Sequence, residues 1–105
     1  MDCKIVWSQK AIQSFDANIE YLQINWTDKE IRNFVELVDK KILLLSKQPQ
    51  IGSIRNIKHQ HIRTTLVHKR ISLIYRYKST RKEIELLLFW NTAQNPKKII
   101  QVFKK

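Results

Sequence analysis

Apolar residues recur at three- and four-residue steps along the first half of the chain, and at every other position along much of the second. The first spacing is that of a helix with one buried stripe, the second that of a strand with one buried face. Ala11, Ile12, Phe15, Ile19 and Leu22 predict a helix from about Gln9 to Ile24, with Ser8 as its N-cap oxygen. Thr27 followed by Glu30 is a capping box. Behind it, Ile31, Phe34, Val35, Val38, Ile42 and Leu45 predict a longer helix ending near Lys47. So short a gap forces the two helices into an antiparallel hairpin. Pro49 and Gly52 end the second helix and open a loop to about Gln60. Ahead of the hairpin, the apolar run from Cys3 to Trp7, with β-branched Ile5 and Val6, predicts a strand.

The alternating segments are Ile62–Val67, Ile71–Tyr77 and Ile84–Trp90. Turns near His68–Arg70 and Ser79–Lys82 join them into a meander. Asn95 and Pro96 fit an N-cap and a proline at the first helical position, and Ile99, Ile100 and Phe103 give a short final helix its apolar side. The order strand, helix, helix, three strands, helix predicts a single α+β domain over residues 1–105. Its antiparallel sheet carries the helical hairpin on one face.

Composition narrows the class. One Gly and two Pro in 105 residues, with 43% hydrophobic residues, argue against disorder. The lone Cys3 has no internal partner and sits in an apolar run, so it reads as a core residue in a reducing compartment. No apolar stretch approaches the roughly 20 residues that cross a bilayer, and the opening MDCKIVWS lacks a signal-peptide profile. A cytoplasmic protein is expected.

Charge changes the picture more. The net charge is +11, and between Lys40 and Lys82 lie twelve Lys or Arg residues, all three histidines and no acid. Such a field draws in a polyanion or an acidic protein. Alternation places Ile62, Leu66, Ile71, Leu73, Tyr75, Ile84, Leu86 and Leu88 toward the helices, and Arg63, Thr65, Val67, Ser72, Ile74, Arg76, Leu87 and Phe89 away from them. The second set mixes two arginines with four large apolar residues, the makings of a contact surface. A slipped register or a cover from the C-terminal segment is the structural alternative.

The order of elements and four local motifs resemble the RelE/ParE superfamily, toxins of bacterial type II toxin–antitoxin pairs, over nearly the whole chain. Lys4-Ile5-Val6-Trp7-Ser8 with Ala11 is similar to the family's opening, and Leu45, Pro49, Ile51 and Gly52 to the close of its helical hairpin. Ile62-Arg63, Val67-His68-Lys69 and Ser72-Leu73-Ile74-Tyr75-Arg76 resemble its central strand pair. Leu88-Phe89-Trp90 with Gln94-Asn95-Pro96-Lys97-Lys98 resembles the end of its last strand. The resemblance implies an antitoxin that wraps the toxin in a hetero-oligomer, and the half-apolar basic face independently fits an acidic one, with Arg63, Val67, Ile74, Arg76, Leu87 and Phe89 as its contact. No Cys or acid accompanies the three histidines to suggest a metal site, and no membrane or cofactor is expected.

Two branches of the superfamily imply different targets. RelE-like members cut mRNA on the ribosome, which takes a base for the ribose 2′-OH, cations for the phosphorane and an acid for the leaving oxygen. The positions that would carry these groups hold Arg63, Ser72, Ala93 and Ile99 here, so one of four keeps its chemical type. Arg76 or Lys69 would replace lost charge, and His59, His61 or His68 the lost acid. The candidate catalytic set is then Arg63, Arg76, His61 and His68. ParE-like members poison DNA gyrase without that set, and this branch is the leading expectation. Lys69, Arg70, Lys97 and Lys98 would face the target. Ala93 departs from the arginine common to ParE-like sequences, which raises an inactive toxin as an alternative. A generic nucleic-acid-binding module is a third reading, set against the lack of an aromatic platform in the strand pattern.

Overall fold

The computed structural model describes residues 2–54 and 61–91. The expected final helix, with Ala93, Lys97, Lys98 and Ile99, lies outside the described residues, as does His59.

Strand β1 spans Lys4–Trp7, helix α1 Gln9–Asn25 and helix α2 Asp28–Lys47. Strands β2 (Ser53–Ile54), β3 (Ile62–His68), β4 (Ile71–Lys78) and β5 (Glu83–Asn91) follow. Both predicted caps form. Ser8 Oγ accepts from Ala11 N–H at 3.0 Å, and Thr27 Oγ1 accepts from Glu30 N–H at 3.2 Å while Glu30 Oε1 accepts from Thr27 N–H at 3.3 Å. Asp28 and Glu30 in the first turn of α2 and Lys47 in its last complement the helix dipole.

The sheet order is β1-β5-β4-β3-β2. The meander and β2 pair antiparallel, whereas β1 runs parallel to β5, so the sheet is mixed at one edge. A parallel neighbour needs a long crossover, and the intervening chain supplies it. On the helix side, Phe34, Val38 and Leu45 of α2 and Ala11 and Leu22 of α1 pack on Ile71, Leu73, Tyr75, Ile84 and Leu86. Trp7, Phe15, Phe34 and Phe89 form an aromatic cluster, with Phe15 and Phe89 5.4 Å apart in an edge-on contact. Burying side chains of this size contributes about 1.5–3 kcal/mol each. Ile12, expected on the buried stripe, is 48% exposed.

Two bulges correct the expected faces. Ile74 pairs with Leu88 but Tyr75 with Leu86, so Leu87 is an extra residue in β5. Beyond it the alternation is inverted: Phe89 joins the core under the helices, and Leu88 and Trp90 turn to the far face. Leu66 pairs with Ser72 but His68 with Ile71, leaving Val67 as the extra residue in β3. Val67 is core, not surface. Directly paired residues share a face. Arg63 opposite Tyr75 and Thr65 opposite Leu73 therefore lie on the helix side, while Ile62 opposite Arg76 and Leu66 opposite Ser72 lie on the far one. Of the eight residues expected to face away, Ser72, Ile74, Arg76 and Leu87 do so.

The outer edge of β5 beyond β1 is closed by α1. Phe89 N–H donates to Ser14 Oγ at 2.9 Å, and Asn18 Nδ2 donates to Phe89 O at 3.1 Å and Ser14 O at 2.9 Å.

Candidate functional site

The far face carries a small apolar cluster. Ile62, Ile74 and Trp90 are buried in it, and half-buried Leu87 and Leu88 pack against them. Ile74 is fully buried, so it supports this surface without presenting itself. Leu66, on the same face, is 58% exposed. Beside the cluster runs a charge ladder: Arg76 Nη1 meets Glu85 Oε1 at 3.3 Å, and Lys78 Nζ meets Glu83 Oε2 at 3.3 Å and Glu85 Oε1 at 3.6 Å. Arg76 Nε is buried without a hydrogen-bond partner among the described residues.

Arg63 does different work. Its Nη1 donates to Gln50 O at 3.1 Å and Gly52 O at 2.7 Å. Tyr75 next to it donates its hydroxyl to Pro49 O at 2.8 Å and accepts from Gly52 N–H at 3.0 Å. Burial pushes the Tyr75 hydroxyl pKa up, partly offset by the Gly52 amide and the Arg63 charge. Together these two side chains clamp the loop that leaves α2.

At the other end of β3, the tip of the helical hairpin and the β3–β4 turn enclose a cleft of about 400 Å³. The hairpin contributes Tyr21, Leu22, Trp26 and Glu30 to its lining, and the sheet contributes His68, Lys69, Arg70, Ile71 and Asn91. The His68 ring lies 4.7 Å from that of Trp26 and 6.2 Å, edge-on, from that of Phe34. Its pKa is lowered, chiefly by burial and next by Lys69, with Glu30 pulling the other way. The buried Nδ1 of His68 has no hydrogen-bond partner among the described residues.

The candidate catalytic residues thus divide. Arg63 is bound to loop carbonyls on the helix side, and Arg76 to Glu85 on the far face. His61 precedes Arg63 by two residues, its carbonyl accepting from Tyr77 N–H at 3.0 Å. His68 is seven positions along β3 from His61, on the order of 20 Å at strand rise. Lys69 and Arg70 do come together, with His68, at the cleft. Among the described residues, no cluster of His, Cys, Asp and Glu is suited to a metal ion.

Sequence reasoning missed Trp26 and Tyr21. Trp26 caps the C-terminus of α1, its N–H donating to Leu22 O at 2.7 Å. An aromatic residue in so short an interhelical turn, beside a capping box, was the available signal.

The family model for the ParE toxin of type II toxin–antitoxin systems matches residues 5–96. The chain belongs to that family. As a member it is the toxin of a type II toxin–antitoxin system. A search of curated protein sequences finds no match. Among solved structures, a chromosomal ParDE system from P. aeruginosa is 20% identical with a TM-score of 0.67, covering 85% of this toxin and 95% of that chain. An E. coli RelE toxin mutant in the free state is 12% identical with a TM-score of 0.65, covering 99% and 97%. A RelBE2 toxin–antitoxin complex from M. tuberculosis is 13% identical with a TM-score of 0.58, covering 87% and 99%. At such identities these likenesses establish a shared fold, and the family match carries the assignment. Among the described residues, no helix of the toxin is long and apolar enough to cross a membrane.

Proposed function

We propose that this toxin acts by binding, with DNA gyrase as its target, and not by cleaving RNA. The observation that supports this most is the separation of Arg63, Arg76 and His68 onto two faces and two ends of the sheet. In-line attack by a ribose hydroxyl needs base, acid and cations within hydrogen-bond reach of one phosphate. The match to the ParE family is the second support, since the resemblance to its branch implies gyrase. Lys69 and Arg70, exposed at the cleft rim, are the described members of the target-facing set.

An acidic antitoxin holds the toxin silent in this reading. Its contact is the far face, where Leu66, Leu87 and Leu88 offer apolar area and Arg76 a cation. An apolar surface with basic residues beside it suits an amphipathic acidic helix or an added strand. Val67 and Phe89 contribute by filling the core beneath, and Arg63 by fixing the 49–52 loop.

The deciding experiment is induced expression without the neighbouring gene, followed by assays on purified components. Growth arrest with loss of gyrase supercoiling activity, and intact transcripts by primer extension, is the expected result. Ribosome-phased transcript cuts would instead establish a ribonuclease with a divergent site, and unhindered growth an inactive toxin.

A further inference from the structure

The cleft between the hairpin tip and the β3–β4 turn is not needed for the antitoxin contact, and its chemistry is specific. Trp26 and Tyr21 give it flat apolar walls, and the Trp26 ring is itself backed by the His68 ring at 4.7 Å. Lys69 and Arg70 stand at one side with no ion pair to an acid shorter than 4 Å among the described residues. Glu30 lines the cleft from the first turn of α2, with Oε1 held by the Thr27 cap. His68 Nδ1 is a buried polar atom without a hydrogen-bond partner among the described residues. A void of about 400 Å³ falls within the range of small-ligand sites.

Each feature selects part of a ligand. Aromatic walls favour a planar π system, because stacking is tolerant of its exact identity. Two adjacent cations favour a phosphate. A carboxylate in the same lining favours an amino or imino hydrogen on the edge of that planar group. An aliphatic ligand would leave the rings unused, and a bare anion would leave Glu30 opposing it.

We propose that this cleft binds a nucleotide, its base against Trp26 and Tyr21 and its phosphate on Lys69 and Arg70. The chemistry is the same for a free nucleotide and for one unit of a single strand. The stacking platform that the strand pattern lacks is assembled from the interhelical turn and the end of β3. Gyrase as the target is not a premise of this site.

The test uses the full-length toxin purified from its antitoxin complex. Nucleoside monophosphates, the matching nucleosides, inorganic phosphate and a short oligouridylate are titrated while the Trp26 indole and His68 ring protons are followed by NMR. Shifts at both residues with nucleoside monophosphates are expected, and binding that falls about tenfold or more in the Lys69→Ala/Arg70→Ala double variant. A Lys40→Ala/Lys41→Ala control on α2, matched in charge, keeps full affinity. Tighter oligouridylate binding identifies a strand as the source, and the double variant then flattens its salt dependence by about 1.4 in logarithmic slope. Tyr21→Ala weakens nucleotides but not phosphate, and stands in for Trp26→Ala should the latter fail to fold. The proposal fails if Trp26 and His68 stay unshifted at millimolar nucleotide. It fails equally if phosphate alone binds as well as the nucleotide, or if an acidic phenylalanine peptide displaces the nucleotide at lower concentration. Gyrase inhibition measured on the same preparation separates failure here from failure of the target assignment.

Discussion

Asn18 donates its side-chain amide to the carbonyl of Phe89 across 3.1 Å, tying the middle of α1 to the outer edge of β5. β1 pairs with β5 only as far as Leu86, so without α1 the backbone groups of Phe89 would be bare. Ser14 Oγ takes the N–H and Asn18 the carbonyl. A helix completes what the strand ladder leaves open.

Asn18→Leu is therefore expected to destabilise the toxin by about 1–3 kcal/mol, because it strands a buried carbonyl. Ser14→Ala should lose a comparable amount by freeing the Phe89 N–H. Urea midpoints checked at constant m-value measure both. The sites share one partner residue, so the double variant should fall short of the sum.

The Tyr75 clamp gives a prediction with a pH signature. Tyr75→Phe leaves the Gly52 N–H and Pro49 carbonyl without the hydroxyl, and about 1–3 kcal/mol of stability is lost. Gly52→Ala should act on the same contacts, since its Cβ would fall 2.5 Å from the Tyr75 hydroxyl oxygen. The Tyr75 pKa is raised in the folded state. The unfolded chain then gives up this proton first, so stability held below pH 10 declines as the pH rises beyond it. Tyr75→Phe removes that part of the alkaline slope in thermal melts.

His68 bears on the acid side. Its folded pKa lies below the ordinary value of 6.5, so the unfolded state binds the proton more readily. The stability it contributes is complete above pH 6.5 and drains away as the pH falls toward the folded pKa. His68→Gln should flatten this part of the profile. An NMR titration of the His68 ring with its midpoint below 6.5 checks the direction.

For the far face, Leu66→Glu and Leu87→Glu are expected to weaken antitoxin binding by tenfold or more each, as removal of an apolar anchor does. Calorimetry against the antitoxin measures this. Circular dichroism should stay native for Leu66→Glu, whose side chain is 58% exposed. Val67→Glu should unfold the toxin instead, since Val67 belongs to the core.

How far the sequence reached is clearest from β5. Its span was legible to within a residue at each end, because alternation and β-branched or aromatic content are local signals. Its faces were not. The extra residue at Leu87 inverts every side chain beyond it, and only pairing with β4 reveals a bulge. The same holds for Val67 in β3. Ser53–Ile54 is too short for any periodicity, and its pairing with β3 is a tertiary fact. The parallel course of β1 follows from the crossover, not from its four residues. The hairpin, by contrast, was readable from its caps and stripe, Ile12 excepted. Lys69 and Arg70 were legible as a charged turn, whereas their meeting with Trp26, more than 40 positions earlier, was not.

The seal that Ser14 and Asn18 place over β5 also bears on solubility. Two hydrogen-bonding side chains, and not a full row of paired backbone, separate the strand from any stranger arriving in solution. Stripped of both, the rim beside Trp90 would become adhesive, and copies of the toxin would meet one another there before they met their antidote.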